Sequence, residues 1–156
     1  MSKPAPPPSL DVSIVIAAPA NRVLKAFFEA EALGAWWQVS HSVTSPRTLG
    51  PYVVEWEPTV DRDDLLGRLG GVLRGTIVQF TPGEGFFIAD AFWLPPDGDP
   101  IGPMAIDVTV KPDGQGTRLR VAQTGFEESD RWRRYYELIA RGWERALHSL
   151  KQLLEK

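Results

Sequence analysis

From Ser129 onward, large apolar side chains recur every three or four positions: Trp132, Tyr135 or Tyr136, Ile139, Trp143, Leu147, Leu150 and Leu154. That spacing puts them on one face of a single helix about seven turns long. Arg131, Arg133, Arg134, Glu137, Arg141 and Lys151 fall mostly on its flanks and outer face. Ser129 is placed as the N-cap, its hydroxyl accepting from a first-turn N–H. A stripe this long and this aromatic has to be covered, so the remaining chain must supply a matching apolar surface. Gly142 interrupts the stripe's flank. A glycine inside a helix costs up to ~1 kcal/mol relative to alanine, so its presence suggests close packing against that backbone.

The remaining chain reads as strands. LDVSIVIAA, residues 10–18, alternates Val12, Ile14 and Ile16 with Ser13 and Val15, the pattern of a half-buried strand. Pro19 then opens a helix at a position where its missing N–H costs little. Residues 20–29 and Ala30 to Trp36 form two short helices, too short to stand without packing on something. Tyr52 to Glu57, Leu69 to Thr81, Phe86 to Leu94, Met104 to Lys111 and Gly116 or Thr117 to Thr124 read as strands. They are separated by a charged turn at residues 61–66, by Pro82-Gly83, by PPDGDP and by Pro112-Asp113-Gly114, all turn chemistry. Short connections imply an antiparallel meander, and Asp107 and Thr109 are expected on the same side as Arg118 and Arg120, with a cross-strand ion pair on that solvated face. Strands do not alternate with long helices, and no G-x-G-x-x-G or G-x-x-x-x-G-K-[ST] segment occurs, which argues against a nucleotide-binding parallel sheet. Gly70-Gly71 reads as a bend or bulge instead.

Composition narrows the function classes. The 156 residues suit one domain, 10–156, preceded by a proline-rich tail at 1–9 that reads as disordered or extended. Twenty acidic residues face 17 basic ones without a basic block, so no nucleic-acid partner is expected. Cysteine is absent, which removes disulfides, thiol catalysis and cysteine-bound metals. Only His41 and His148 are histidines, and no spacing supports a metal or another cofactor. No run approaches the ~20 apolar residues of a membrane span, and the first nine residues lack the apolar core of a secretory signal. The expected setting is cytoplasmic.

The order strand, two short helices, about six strands and a long helix resembles the START-like (SRPBCC, helix-grip) superfamily. Particular residues bring it closer to the family named after the C-terminal domain of the heat-shock-protein-90 ATPase activator. At one end these are Ala18-Pro19-Ala20-Asn21-Arg22-Val23, Ala26-Phe27 and the Glu31 to Trp37 segment. At the other they are Gly116-Thr117-Arg118-Leu119, Thr124-Gly125-Phe126, Gly142-Trp143, Leu147 and Leu150. The likeness covers roughly residues 10 to 155, and Leu49-Gly50-Pro51 stands where relatives carry Gly-Gly. It implies an α+β helix-grip fold, a curved antiparallel sheet of six or seven strands wrapped around the C-terminal helix. It implies a cavity as well, but no particular reaction, since relatives include chaperone co-factors, carriers of hydrophobic ligands and aromatic cyclases.

A sheet gripping a helix leaves space wherever inward side chains do not fill it. Trp56, Phe92 or Trp93, Met104, Tyr135, Ile139 and Trp143 are inward candidates. Trp36 and Trp37, adjacent at a helix end, cannot face the same way, and Trp37 is taken as the one at the cavity mouth. Gln123 shares the phase of Leu119 and Val121. Asp90 shares the phase of Phe86, Ile88 and Phe92, and Arg74 lies between Val72 and Thr76. Buried polar groups need partners, so Arg74 and Asp90 either pair on neighbouring strands or anchor a ligand.

Three readings follow. The first is non-enzymatic binding of a small hydrophobic or amphipathic molecule, with Trp37, Trp56, Arg74, Asp90, Phe92, Met104, Gln123, Tyr135 and Ile139 at the cavity wall. It requires a void of at least ~300 Å³. The second is a protein-interaction domain, chaperone-associated or homodimeric, with an exposed apolar patch near Trp36 or Trp37. The third is a cyclase- or hydrolase-type enzyme using Asp90, Glu55 or His41, which requires two titratable groups in one reachable cleft. The chain is a monomer or a homodimer on these readings.

Overall fold

The computed structural model describes residues 9–125 and 127–156. Most of the proline-rich tail, residues 1–8, and Phe126 lie outside that description. The chain runs β1 (Leu10–Ile16), α1 (Ala20–Lys25), α2 (Ala30–Trp37), β2 (His41–Thr44), β3 (Pro51–Trp56), β4 (Arg62–Asp63) and β5 (Gly67–Arg68). It continues through β6 (Gly71–Thr81), β7 (Gly85–Leu94), β8 (Ile101–Asp113), β9 (Gly116–Thr124) and α3 (Asp130–Leu154). Seven strands form one antiparallel sheet in the order β1-β9-β8-β7-β6-β3-β2, and β4 pairs with β5 in a small separate hairpin. The long helix begins where its sequence signal lies: the Ser129 hydroxyl accepts from the Trp132 N–H at 3.1 Å. This is the α+β helix-grip arrangement expected from the sequence.

Alternation fixes which face of the sheet meets the helix. Met104, Ile106, Val108 and Val110 of β8 and Leu119, Val121 and Gln123 of β9 are all buried. Their neighbours Asp107, Thr109, Arg118 and Arg120 share the other face, as expected, but the ion-pair partners differ. Arg120 forks onto Asp11 of β1 at 2.9 and 2.6 Å, and Arg118 meets Asp113 at 2.8 Å. The register puts Thr109, not Asp107, opposite Arg120, so the bidentate acceptor is on the other neighbouring strand.

Strand β7 departs from simple alternation. Phe86 and Ile88 are buried, and so are Ala91 and Trp93, while Asp90 between them is exposed. Asp90 has φ 51°, and the pairing with β8 slips between Ile88 and Ala91. One extra residue has been inserted there, a bulge that moves every later side chain to the opposite face. Gly75 accommodates it on β6, because a Cβ at that position would come within 2.4 Å of the Ile88 side chain.

Helix α3 packs on α2 and on β1. Its last turns are tied down: Lys151 Nζ donates to the Val15 carbonyl at 2.8 Å, and Arg22 donates to the Leu154 carbonyl at 3.0 Å. The Ala17 N–H donates to Glu155 at 2.7 Å. Leu147, Leu150 and Leu154 are buried there. Toward its N-terminal half the helix leaves room between itself and the sheet.

Candidate functional site

That room is a cavity of about 550 Å³. Five aromatic residues form much of its wall: Trp37 from the end of α2, Trp56 from β3, Trp93 from β7, and Tyr135 and Trp143 from α3. Leu73 of β6, Gln123 of β9 and Leu138, Ile139 and Gly142 of α3 add to it. The outer wall comes from the segment around the β4–β5 hairpin, through Glu57, Thr59, Leu66, Leu69 and Gly70. Behind Trp37, Leu73 and Trp143 the interior closes to about 10 Å³, space for no more than one water.

The ring geometry is connected. Trp37 stacks on Trp36 with centroids 5.0 Å apart, meets Trp56 edge-on at 5.1 Å, and lies 4.7 Å from Trp143. The adjacent tryptophans divide as expected: Trp36 is buried and donates to the Ala26 carbonyl at 2.8 Å, while Trp37 is half-buried at the cavity. Trp56 donates its indole N–H to the Trp37 carbonyl at 2.9 Å, tying β3 to α2. Trp93 donates to the Gly70 carbonyl at 2.7 Å and stacks on Tyr135 at 5.3 Å. Trp56 and Trp93 thus border the space while their polar N–H groups are satisfied by backbone carbonyls.

Gln123 is the polar centre of the wall and is 1% exposed. Its Oε1 accepts from the Trp143 indole at 3.0 Å. Its Nε2 donates to the Tyr135 hydroxyl at 3.1 Å and to Met104 Sδ at 3.3 Å. Burial pushes the Tyr135 hydroxyl pKa well up, outweighing the opposing effect of the Gln123 bond, so the phenol stays protonated. Among the described residues lining the cavity, Glu57 is the one charged residue, and it is exposed.

The hairpin that makes the outer wall is held by ion pairs. Asp63 receives Arg134 of α3 at 2.8 Å and the backbone N–H groups of Leu65 and Leu66 at 3.1 Å each. Burial works to raise the Asp63 pKa, but these bonds outweigh it and hold the carboxyl below its ordinary value. Asp97, from the loop after β7, takes a forked bond from Arg68, with both contacts at 3.1 Å. The Arg68 side chain and N–H bring the Asp97 pKa down to about 2.

Five residues proposed from the sequence line the cavity: Trp37, Trp56, Gln123, Tyr135 and Ile139. Four do not. Met104 faces inward as expected but is not part of the lining, touching it through Gln123. Arg74 and Asp90 are exposed and no ion pair joins them, and Phe92 is out of phase with the inward face. The cause is the bulge at Asp90, which turns Asp90 outward and puts Trp93 where Phe92 was expected. Arg74 sits opposite Phe92 in the register, out of phase with the buried Leu73 and Ile77 of its own strand. His41 and Glu55 meet at 3.2 Å across β2 and β3, and neither is among the residues lining the cavity. The expectation for Gly142 is also corrected, since a Cβ there would meet nothing within 4 Å. Sequence reasoning placed Trp143 inward without assigning it to the site, and it read residues 61–66 as a charged turn. The signal it passed over is Leu66 at the end of that polar segment, with Leu69 just beyond it.

The family model described as "Activator of Hsp90 ATPase homolog 1-like protein" matches residues 17–155. The chain belongs to that family. No curated protein matches the sequence. Among solved structures, this activator-like chain is similar to protein MLL2253 from Mesorhizobium loti, with a TM-score of 0.70 and 22% identity over 94% of this chain and 96% of that one. It is similar as well to the Aha1 dimer from Colwellia psychrerythraea, with a TM-score of 0.65 and 17% identity over 94% and 96% of the two chains. DynU16, a putative protein in the dynemicin biosynthetic locus, matches with a TM-score of 0.67 and 16% identity over 97% of this chain and 48% of its own. At these identities the structures establish the fold. Among the described residues of this family member, no helix is long and apolar enough to cross a membrane.

Proposed function

We propose that the protein binds a small hydrophobic or amphipathic molecule in the cavity between the sheet and α3. The observation that carries this reading is the space itself: about 550 Å³, walled by Trp37, Trp56, Trp93, Tyr135 and Trp143. Ligand sites typically offer ~300–1,000 Å³, apolar walls and a few fixed polar groups, and Gln123 with Tyr135 supplies the polar element. The residues weighed for acid–base chemistry, Asp90, Glu55 and His41, are not among those lining the cavity, so they give an enzymatic reading no support.

Gly142 provides the test. Gly142 lines the cavity and a Cβ there meets nothing within 4 Å, so Gly142→Phe is the variant chosen to put a ring at the mouth. Titration with N-phenyl-1-naphthylamine, a neutral dye that brightens in apolar sites, is expected to saturate on the wild-type protein. The Gly142→Phe protein should bind at least ~10-fold more weakly. No brightening, or equal affinity in both proteins, would overturn the reading.

A homodimer is a second reading. The Colwellia relative was solved as a dimer, and Val43 on edge strand β2 and Leu49 beyond it are exposed here. An edge strand offers unpaired backbone groups to a second copy. Sedimentation velocity separates monomer from dimer directly.

A further inference from the structure

The hydrogen bonds around Gln123 leave one donor over. An amide can be turned either way until its neighbours decide the matter. Here two neighbours decide it. The Trp143 indole nitrogen can only donate, so it requires the oxygen, at 3.0 Å. The Met104 thioether can only accept, so it requires the nitrogen, at 3.3 Å. The Gln123 nitrogen therefore faces Tyr135, at 3.1 Å. That bond uses a lone pair of the Tyr135 oxygen and leaves the hydroxyl hydrogen unspent. No described residue accepts it, although both Tyr135 and Gln123 line the cavity. The Tyr135 ring is held by stacking on Trp93 at 5.3 Å, so the hydroxyl is fixed in place.

The rest of the wall limits what can meet that hydrogen. Among the described residues, no lysine, arginine or histidine lines the cavity, and the one carboxylate, Glu57, is exposed. An anionic group buried here would have no counter-charge. A pure hydrocarbon would leave the hydroxyl without an acceptor. The geometry points to Tyr135 as a hydrogen-bond donor selecting neutral, ring-containing ligands that carry a carbonyl or ether oxygen. This rests on the cavity-binding reading above and names its ligand class. Tyr135 stays protonated across the working pH range because burial raises its pKa, so the donor is not lost at mildly alkaline pH.

A matched pair of probes tests it: 2-acetonaphthone and 2-ethylnaphthalene, which share a ring system and differ in the carbonyl. Each is titrated into the full chain while the tryptophan indole N–H signals are followed by NMR. Wild-type protein is expected to bind the ketone about 3- to 10-fold more tightly than the hydrocarbon, the worth of one neutral hydrogen bond. Tyr135→Phe should bring that ratio to about 1 while both probes still bind. Equal affinities in the wild type, or a preference that survives Tyr135→Phe, overturns the Tyr135 assignment and leaves the cavity reading standing. If neither probe binds the wild type, both fall. A second measurement needs no variant. The infrared carbonyl stretch of bound, 13C-labelled 2-acetonaphthone should lie below its value in hexane, and an unshifted band overturns the assignment.

Discussion

Along α3 one apolar stripe meets two different surroundings. From Ala146 to Leu154 it is packed solid, with Leu150 fully buried and the last turn tied to β1 and its neighbours through Lys151, Arg22 and Glu155. From Tyr135 to Trp143 the same stripe borders a void of about 550 Å³. The side chains of the two halves differ accordingly. The packed half uses leucines, which interdigitate, and the open half uses rings, which span a gap with flat faces and few rotamers. One helix therefore carries the anchor and the wall, and the fold can keep an internal space because its tightest packing lies elsewhere.

The sharpest way to break the comparison is to truncate one residue in each half. Leu150→Ala should cost ~2–5 kcal/mol in urea denaturation, whereas Ile139→Ala, which already borders space, should cost about 1 kcal/mol or less. Equal losses would mean that the open half is filled in solution. Gln123→Leu comes next. It removes the acceptor of the buried Trp143 N–H and the partner of Tyr135, at an expected cost of about 1–3 kcal/mol. Near-UV circular dichroism should change with it, because two cavity rings lose their tether.

Gly142→Ala should act in the opposite direction. The added methyl meets nothing, so better helix propensity raises stability by up to ~1 kcal/mol, read as a higher urea midpoint. The smallest effect concerns the hairpin that closes the open half. The pKa of Asp97 is held at about 2, below its ordinary 3.8. A depressed carboxyl stabilises the fold above its unfolded pKa, and that contribution is lost as pH falls through the folded value. Thermal midpoints measured from pH 4 down to pH 2 should therefore fall in the wild type, and less steeply in Asp97→Asn.

How much of this was legible follows the same division. The packed half needed only period: the spacing of Leu147, Leu150 and Leu154 gave the helix, and Ser129 gave its start. Gln123 was legible because β9 alternates without interruption, so its phase with Leu119 and Val121 placed it inward. Asp90 and Phe92 were misplaced for one reason. Residue Asp90 takes a left-handed φ, and nothing in FFIADAFW announces that a non-glycine residue will do so. Gly75 on the facing strand was the available hint, since a glycine within a strand often marks a bulge or close backbone approach. The outer wall at Leu66 and Leu69 was hidden by charge, because Asp63 and Arg68 look solvated until Arg134 and Asp97 are found beside them.

The tryptophan placement has an optical consequence. Four of the chain's six indoles, Trp37, Trp56, Trp93 and Trp143, border the same space. Trp37 stands 5.0 Å from the Trp36 ring and 4.7 Å from that of Trp143, close enough for excitation to pass between chromophores before it is emitted. The protein's ultraviolet emission therefore reports mainly on the interior of its cavity. An occupant that displaces water from those ring faces will shift the colour of that emission, and one that absorbs at longer wavelength will darken it, so the molecule signals its own filling without a label.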